Sequence, residues 1–476
     1  MNYDGFIGPS YTVDSVNIDA QRCVNLYPKI NEMGKGKSSQ VAALIGTPGL
    51  SLAVTIGDGP VRGIFRGSNG FLYVVSGNKL YYVNSLNVAQ ELGTLLTSTG
   101  NVDFADNGAT LVIVDGDNGY WHTFSSTTIT RFVGAEWLGS TKVNFVDGYF
   151  LFNDPDSSKF YISNLNSVDL DILDFSTTSG SPDNIIATLV NHREVWLFGS
   201  DSVEGWFNSG NPDFPFERIG SGFMEMGCAA AFSVEKIDRT TFWLGNNKEG
   251  NGIVYAAQGF NPQRISTHAV ELAIQSYGDI SDAKAYTYQE NGHSFYVLNF
   301  TSANTTWVFD TTTRLWHERA YLTGGEFQRH RANNHAFAYE KHYVGDYDNG
   351  KLYIMSSDYY SDAGDEIRRL RTAPHLSQSL KRISHYSFEL EIERGVGLTG
   401  ITQGEDPKVM LQFSDDGGHT WSSEHWRDLG AISNRKQRII WRRLGVSRDR
   451  IYRVAISDPI KISLIGAELE LEGMAN

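Results

Sequence analysis

The string most like a chemical motif is Ser414-Asp415-Asp416-Gly417-Gly418-His419-Thr420-Trp421, which fits S-x-D-x-G-x-T-W. Its chemistry is local. Serine and aspartate oxygens accept from backbone N–H groups in a hairpin turn, glycine supplies positive φ, and the tryptophan packs beneath. The single copy reads as a folding device, not a catalytic one. Glu194, Glu204 and Glu217 offer carboxylates of the kind glycoside hydrolysis pairs at defined separations, but sequence spacing sets none of them across a substrate. His330, His335 and His342, at spacings of five and seven, do not set three ligands on one face, so no metal site is expected. Asp115-Gly116-Asp117-Asn118-Gly119 and Asp346-Tyr347-Asp348-Asn349-Gly350 resemble the start of a calcium loop. The twelfth-position ligand is missing from both: Ser126 stands there in the first, and Asp358 comes one residue late in the second. Both read as hairpin turns. Gly34, Lys35, Gly36 and Lys37 lack the spacing of a phosphate loop. Cys23 and Cys228, 205 positions apart, have no metal-type spacing and read as isolated thiols. With no nucleophile elbow either, the residues point to no enzyme, no cofactor and no metal.

The elements holding these residues are short strands. Ile186–Asn208 parses into three apolar runs separated by Asn191-His192-Arg193-Glu194 and Gly199-Ser200-Asp201-Ser202. Four-residue connections permit only antiparallel neighbours, so this is a three-stranded meander, a unit that cannot bury its faces alone. Similar hairpins recur at Ser68–Asn84, Leu111–Phe124, Asn144–Ser163, Thr241–Gln258, Gly292–Trp316 and Ala336–Met355. Anchors at Phe71, Leu111, Tyr149, Val195, Phe242, Phe295 and Tyr343 are spaced by 40, 38, 46, 47, 53 and 48 residues. A period of roughly 40–50 residues with several strands per unit marks a β-propeller. Seven blades are expected, with six as the alternative. One short helix is expected at Ala269–Tyr277, with Thr267 as its N-cap.

The fold class is all-β. Residues 1–54 read as an N-terminal arm with a closing strand, 55–357 as the propeller, 358–379 as a charged linker and 380–476 as a separate β domain. In that last unit YSFELEIE and LIGAELELE alternate with the period of half-buried strands, as in a β-sandwich. The N-terminus lacks the basic and apolar regions of a signal peptide, and no run reaches the ~18 apolar residues of a membrane span.

Charge is uneven. The chain carries 40 Lys and Arg against 55 Asp and Glu, a net of −15. That excludes a surface that is wholly a nucleic-acid footprint. Yet Arg427–Arg453 holds nine cations and two aspartates, a net of +7 in 27 residues. Arg435, Lys436, Arg438, Arg442 and Arg443 are the candidate interface residues, facing an acidic partner or DNA phosphates; a merely solvated face is the alternative.

Several stretches together resemble the packaged-DNA-stabilisation proteins, the tail accessory or hub proteins of short-tailed bacteriophages. They are Val195-Trp196-Leu197-Phe198-Gly199 with Glu204-Gly205-Trp206-Phe207, Gly292-His293-Ser294-Phe295-Tyr296, and Trp307-Val308-Phe309-Asp310 with Trp316. Phe413-Ser414-Asp415-Asp416-Gly417 and Trp441-Arg442-Arg443-Leu444-Gly445 complete them. The resemblance spans roughly residues 20–472. It implies a virion protein forming a homo-oligomeric ring, a hexamer, below the portal and its adaptor. That ring would continue the channel for genomic DNA, retain the packaged genome, and carry tailspike or tail fibre and needle proteins. It implies no catalytic residue, and DNA would pass without sequence-specific binding. The competing readings are a propeller glycan-binding module, prompted by aromatic residues expected to be exposed, and a sialidase-like glycoside hydrolase, prompted by the 414–421 motif. The hydrolase would need several such motifs and an arginine cluster within the blades.

Overall fold

The computed structural model describes residues 1–30, 42–181, 183–247, 250–379, 381–399 and 403–474. The Gly34–Lys37 segment lies outside them. Seven four- or five-stranded antiparallel units follow one another along the chain. The fourth is the central meander with one strand added: Ile185–Asn191, Glu194–Gly199, Val203–Asn208 and Phe216–Met224. His192 and Arg193 take positive φ in its first turn (53° and 66°). In the second, Asp183 accepts from the N–H groups of Asp201 and Ser202 at 2.8 and 2.9 Å. Val195, Trp196, Leu197 and Phe198 are all buried, because a middle strand meets a neighbouring blade on either face. Trp196 stacks on Phe260 at 4.7 Å and Trp206 meets Phe160 edge-on at 5.0 Å. The six other units are Val61–Thr94, Asp103–Arg131, Val143–Thr177, Gly227–Arg264, Lys284–Thr323 and Ala332–Ser356. The last is completed by Gly49–Thr55, which pairs in order with Lys351–Ser356 and closes the ring of blades. This seven-bladed β-propeller is the arrangement its repeat spacing predicts. The one α-helix among the described residues is His268–Gln275, and its Thr267 cap accepts from the Val270 N–H as expected.

Beyond the propeller two sheets face each other. One holds Leu26–Ile30, Ala42–Gly46, Ser463–Gly473, Ile383–Ile392 and Ile439–Arg442, in that order. The other holds Ala20–Val24, Arg369–Thr372, Asp449–Ile456, Lys408–Ser414 and His425–Asp428. Their inner faces supply one core that includes Phe388, Leu390, Trp441, Tyr452, Val454 and Leu469, with Tyr3, Phe6, Cys23, Leu26 and Leu44 from the chain's beginning. This is a β-sandwich built from both ends of the sequence. Residues 20–46, read from sequence as part of an arm, supply three of its strands. Arg369–Thr372, inside the stretch read as a linker, is a fully buried strand between Ala20–Val24 and Asp449–Ile456. Arg371 explains how a charged segment enters a core. Its guanidinium donates to the carbonyls of Phe6 (2.7 Å), Pro9 (2.8 Å) and Gly5 (2.8 Å) and to Gln21 Oε1 (2.6 Å).

The sandwich is stitched to the sixth blade. Val24 pairs in parallel with Glu318, and Asn25 exchanges side-chain hydrogen bonds with the Ala320 backbone at 2.9 Å each. Arg22 Nε donates to Glu318 Oε1 at 3.1 Å. One sheet therefore runs from the propeller into the sandwich.

Candidate functional site

The five candidate cations lie on and beside one edge strand. Among the described residues, Ile439–Arg442 pairs with Ile383–Ile392 alone. Ile439 and Trp441 point into the core, while Arg438 and Arg442 are exposed. Arg443, at φ 61°, turns the chain away, and Arg435 and Lys436 sit exposed in the preceding turn. The edge is not open. Arg427 Nε donates to the Ile440 carbonyl at 3.0 Å, and Trp441 Nε1 donates across to the His425 carbonyl of the facing sheet at 2.8 Å. Such cover blunts the tendency of a free edge to recruit other strands.

The basic stretch is not one surface. Arg450 is buried, held by two bonds to Asp415 (2.6 and 2.7 Å) and 4.1 Å above the Phe413 ring. Arg453 lies 3.4 Å over Trp421, and burial, with Arg22 and Arg368 nearby, pushes it down to about 9. Arg438 is clamped by Glu389 through bonds of 2.9 and 2.6 Å. Hydrogen bonding from Arg438 draws the Glu389 carboxyl below its ordinary value against the opposing effect of burial, and the charges of Arg438, Arg394 and Arg442 add to it. Arg435, Lys436, Arg442 and Arg443 remain as exposed cations. Sequence reading missed the complement beside them. Ser463–Gly473 carries exposed Glu468, Glu470 and Glu472 in register with Glu389, Ser387 and Ser384. The alternation of LIGAELELE already placed these three carboxylates on one face. The outer sheet thus shows an acidic row next to a basic edge.

The 414–421 motif folds as its composition dictates. Ser414 Oγ accepts from the Gly418 N–H at 2.8 Å and donates to Asp416 at 2.7 Å, and Asp416 accepts from the Thr420 N–H at 2.9 Å. The Thr420 hydroxyl, which donates to Asp416 at 2.6 Å, and then the Thr420 N–H and Ser414 hold the Asp416 carboxyl well below the usual range. The calcium-like loops spend their carboxylates internally: Asp115 accepts from the Asn118 N–H (3.0 Å), and buried Asp346 accepts from Arg331 (2.9 Å) and Tyr353 (2.8 Å). Glu204 accepts from Trp206 Nε1 at 3.1 Å. His335 and His342 are hydrogen-bonded to each other at 2.9 Å, whereas His330 Nδ1 accepts from the Ala332 N–H. Among the described residues no three His, Cys, Asp or Glu are placed to hold a metal ion.

Residues of several blades line one cavity of about 190 Å³, among them Asp103, Lys142, Glu235 and Lys284. Lys142 pairs with Asp103 at 3.2 Å, and Lys284 donates to the Arg62 carbonyl and Asn101 at 3.0 Å each. Both ammonium groups lie over the Phe232 ring, at 4.7 and 5.5 Å. Burial pushes Glu235 up to about 7 and Lys284 down to about 7.

The chain matches no curated protein. Among solved structures it is similar to the WD40 β-propeller domain of Doa1, with a TM-score of 0.42 and 13% identity, covering 65% of this chain and 97% of that one. It is also similar to the N-terminal domain of Nup159, with a TM-score of 0.41 and 9% identity, covering 70% of this chain and 98% of that one. Two family models match in tandem: bacteriophage P22 Gp10, beta-propeller, over residues 11–360, and bacteriophage P22 Gp10, beta-sandwich, over residues 368–472. With both parts present in order over nearly all of its length, the chain belongs to the bacteriophage P22 Gp10 family of phage structural proteins.

Proposed function

We propose that this protein is a hub of a phage tail. Copies form a homo-oligomeric ring, a hexamer, below the portal and its adaptor. The ring continues the DNA channel, retains the packaged genome, and anchors tail fibres or spikes and the needle. The protein acts in the virion as a structural part without catalysis. The observation that carries this reading is the tandem family match across propeller and sandwich.

The geometry supports one form of it. A cavity of about 190 Å³ backed by Phe232 has no room for a duplex, so DNA runs between copies and not through a propeller. Arg435, Lys436, Arg442 and Arg443, with Arg438 beside them, meet acidic surface of a neighbouring copy or of the adaptor. A basic edge that meets acidic surface elsewhere on the next copy makes a heterologous contact, which closes into a ring when the rotation permits. Exposed ion pairs are worth about 0–1 kcal/mol each and are screened by salt, so their role is steering and register.

The test reverses Arg435, Lys436, Arg442 and Arg443 to Glu and leaves Arg438 on Glu389. The variant is expected to fold as the parent does and to fail to join connector-bearing heads, which then lose DNA. Normal attachment and full heads, with unchanged salt sensitivity, would reduce this edge to a solvated face.

A further inference from the structure

We propose that the groove between the fifth and sixth blades is a binding site for an acidic saccharide. The groove encloses about 640 Å³, within the range of sites that hold small molecules. Buried Phe242 and Phe309 line it with apolar surface. Exposed Arg239, Asn261, Gln263 and Arg314 ring it.

Three features point to that ligand class. The guanidiniums of Arg239 and Arg314 make no ion pair or hydrogen bond among the described residues, although they line the same cavity. Arg22, Arg371, Arg438 and Arg450 are committed to partners, whereas these two, like Arg435, Arg442 and Arg443 on the sandwich edge, are not. Two free forks suit a carboxylate or phosphate, which they can grip through paired N–H donors. The local balance, two arginines against Asp238, is positive on a chain whose net charge is −15. A concave site of the minority sign concentrates an anion there and nowhere near the acidic remainder. The amides of Asn261 and Gln263 donate and accept at once, which suits hydroxyl groups that do the same. An acidic peptide would meet the arginines with its carboxylates and the amide rim with its backbone, so it is the rival occupant that the comparator tests.

The groove is on the blade flank, remote in sequence from the Arg435–Arg443 edge, so the proposal stands or falls apart from ring assembly. Calorimetry on the full chain would use glucuronic acid, N-acetylneuraminic acid and glucose 6-phosphate as probes, with glucose and a glutamate-rich peptide as comparators. An acidic sugar is expected to bind with a Kd on the order of 1 mM, about tenfold tighter than glucose. Replacing Arg239 and Arg314 together by Gln is expected to weaken it about tenfold or more. Both side chains are exposed, and an unchanged melting curve would show that the variant folds. Carboxylated and phosphorylated probes separate the two sources of the anion. The proposal is overturned if no acidic sugar binds at about ten times that concentration, if binding survives the double substitution, or if only the peptide binds.

Discussion

Replacing Arg371 by Leu should unseat the first ten residues. The side chain is wholly buried and donates to the Gly5, Phe6 and Pro9 carbonyls and to Gln21 at 2.6–2.8 Å. Leucine fills much of the same space but supplies no donor. An acceptor left dry costs about 1–3 kcal/mol, so four at the low end cost ~4 kcal/mol. Water reaching the outermost of them returns about 1 kcal/mol. Removing an unpaired buried charge works in the opposite sense, but here the carbonyl dipoles already compensate it, and they remain when the charge has gone. The expected loss is about 3 kcal/mol. Arg371→Lys should lose less, about 1–2 kcal/mol, because an ammonium offers three donors to four acceptors and lacks the planar fork. Urea unfolding followed by tryptophan fluorescence gives the stability. Amide hydrogen exchange over residues 3–10 reports the segment itself. A loss under about 1 kcal/mol with undiminished protection there would refute the reasoning.

Two further outcomes follow from the packing. Burial, with Arg450 adding to it, holds His385 down at about 4, between Ser447 and the Tyr452 hydroxyl. Its unfolded value is about 6.5, so between those values the unfolded chain binds the extra proton and stability falls as pH falls; the limiting slope is about 1.4 kcal/mol per pH unit. His385→Gln should remove that part of the acid dependence, and an identical pH profile in the variant would contradict the assignment. Gly350→Ala should strain the closing strand, since a Cβ there would stand 2.2 Å from the Ile56 carbonyl oxygen and 2.5 Å from that of Gly57. A loss of about 1–3 kcal/mol and new protease cleavage near residue 57 are expected. Gly278→Ala, which meets nothing within 4 Å, is the control, and equal behaviour of the two would refute the closure argument.

The blades were legible because each carries its own evidence: apolar runs of strand length, with turn residues at both ends. Thr267 and the helix after it were legible from a capping residue followed by apolar residues at helical spacing. The sandwich was only half legible. Ile383–Ile392 and Ser463–Gly473 alternate, but Ala42–Gly46 reads as nothing in particular until its partner Leu464, some 420 positions away, is beside it. Charge misled twice in the same way. Arg369 and Arg371 suggested solvent, yet the alternation in Arg-Leu-Arg-Thr was that of a strand, and the arginines satisfy carbonyls inside. The Arg427–Arg453 run looked like one surface because a sequence count cannot see Asp415 reaching Arg450, Trp421 beneath Arg453, or the Ile440 carbonyl taking Arg427. The Arg239 and Arg314 groove left no signal at all, because its walls come from two blades and its cations are separated by more than a whole repeat.

The joining of the chain's beginning to its end has a consequence for synthesis. Gly49–Thr55 waits for Lys351–Ser356, and Ala42–Gly46 waits for Ser463–Gly473. At about 5–20 residues per second, translation keeps Gly49–Thr55 without its partner strand, and the hairpin of Leu26–Ile30 with Ala42–Gly46 without the rest of its sheet, for on the order of half a minute or longer. Through that interval Leu26, Leu44 and Leu50, all buried in the finished protein, have nothing to cover them. A product released early keeps that greasy leading end exposed, where chaperones and proteases act. Only a ribosome that reads through Ser463 yields a molecule with its first strands hidden, so the fold itself discriminates complete copies from fragments before any virion is built.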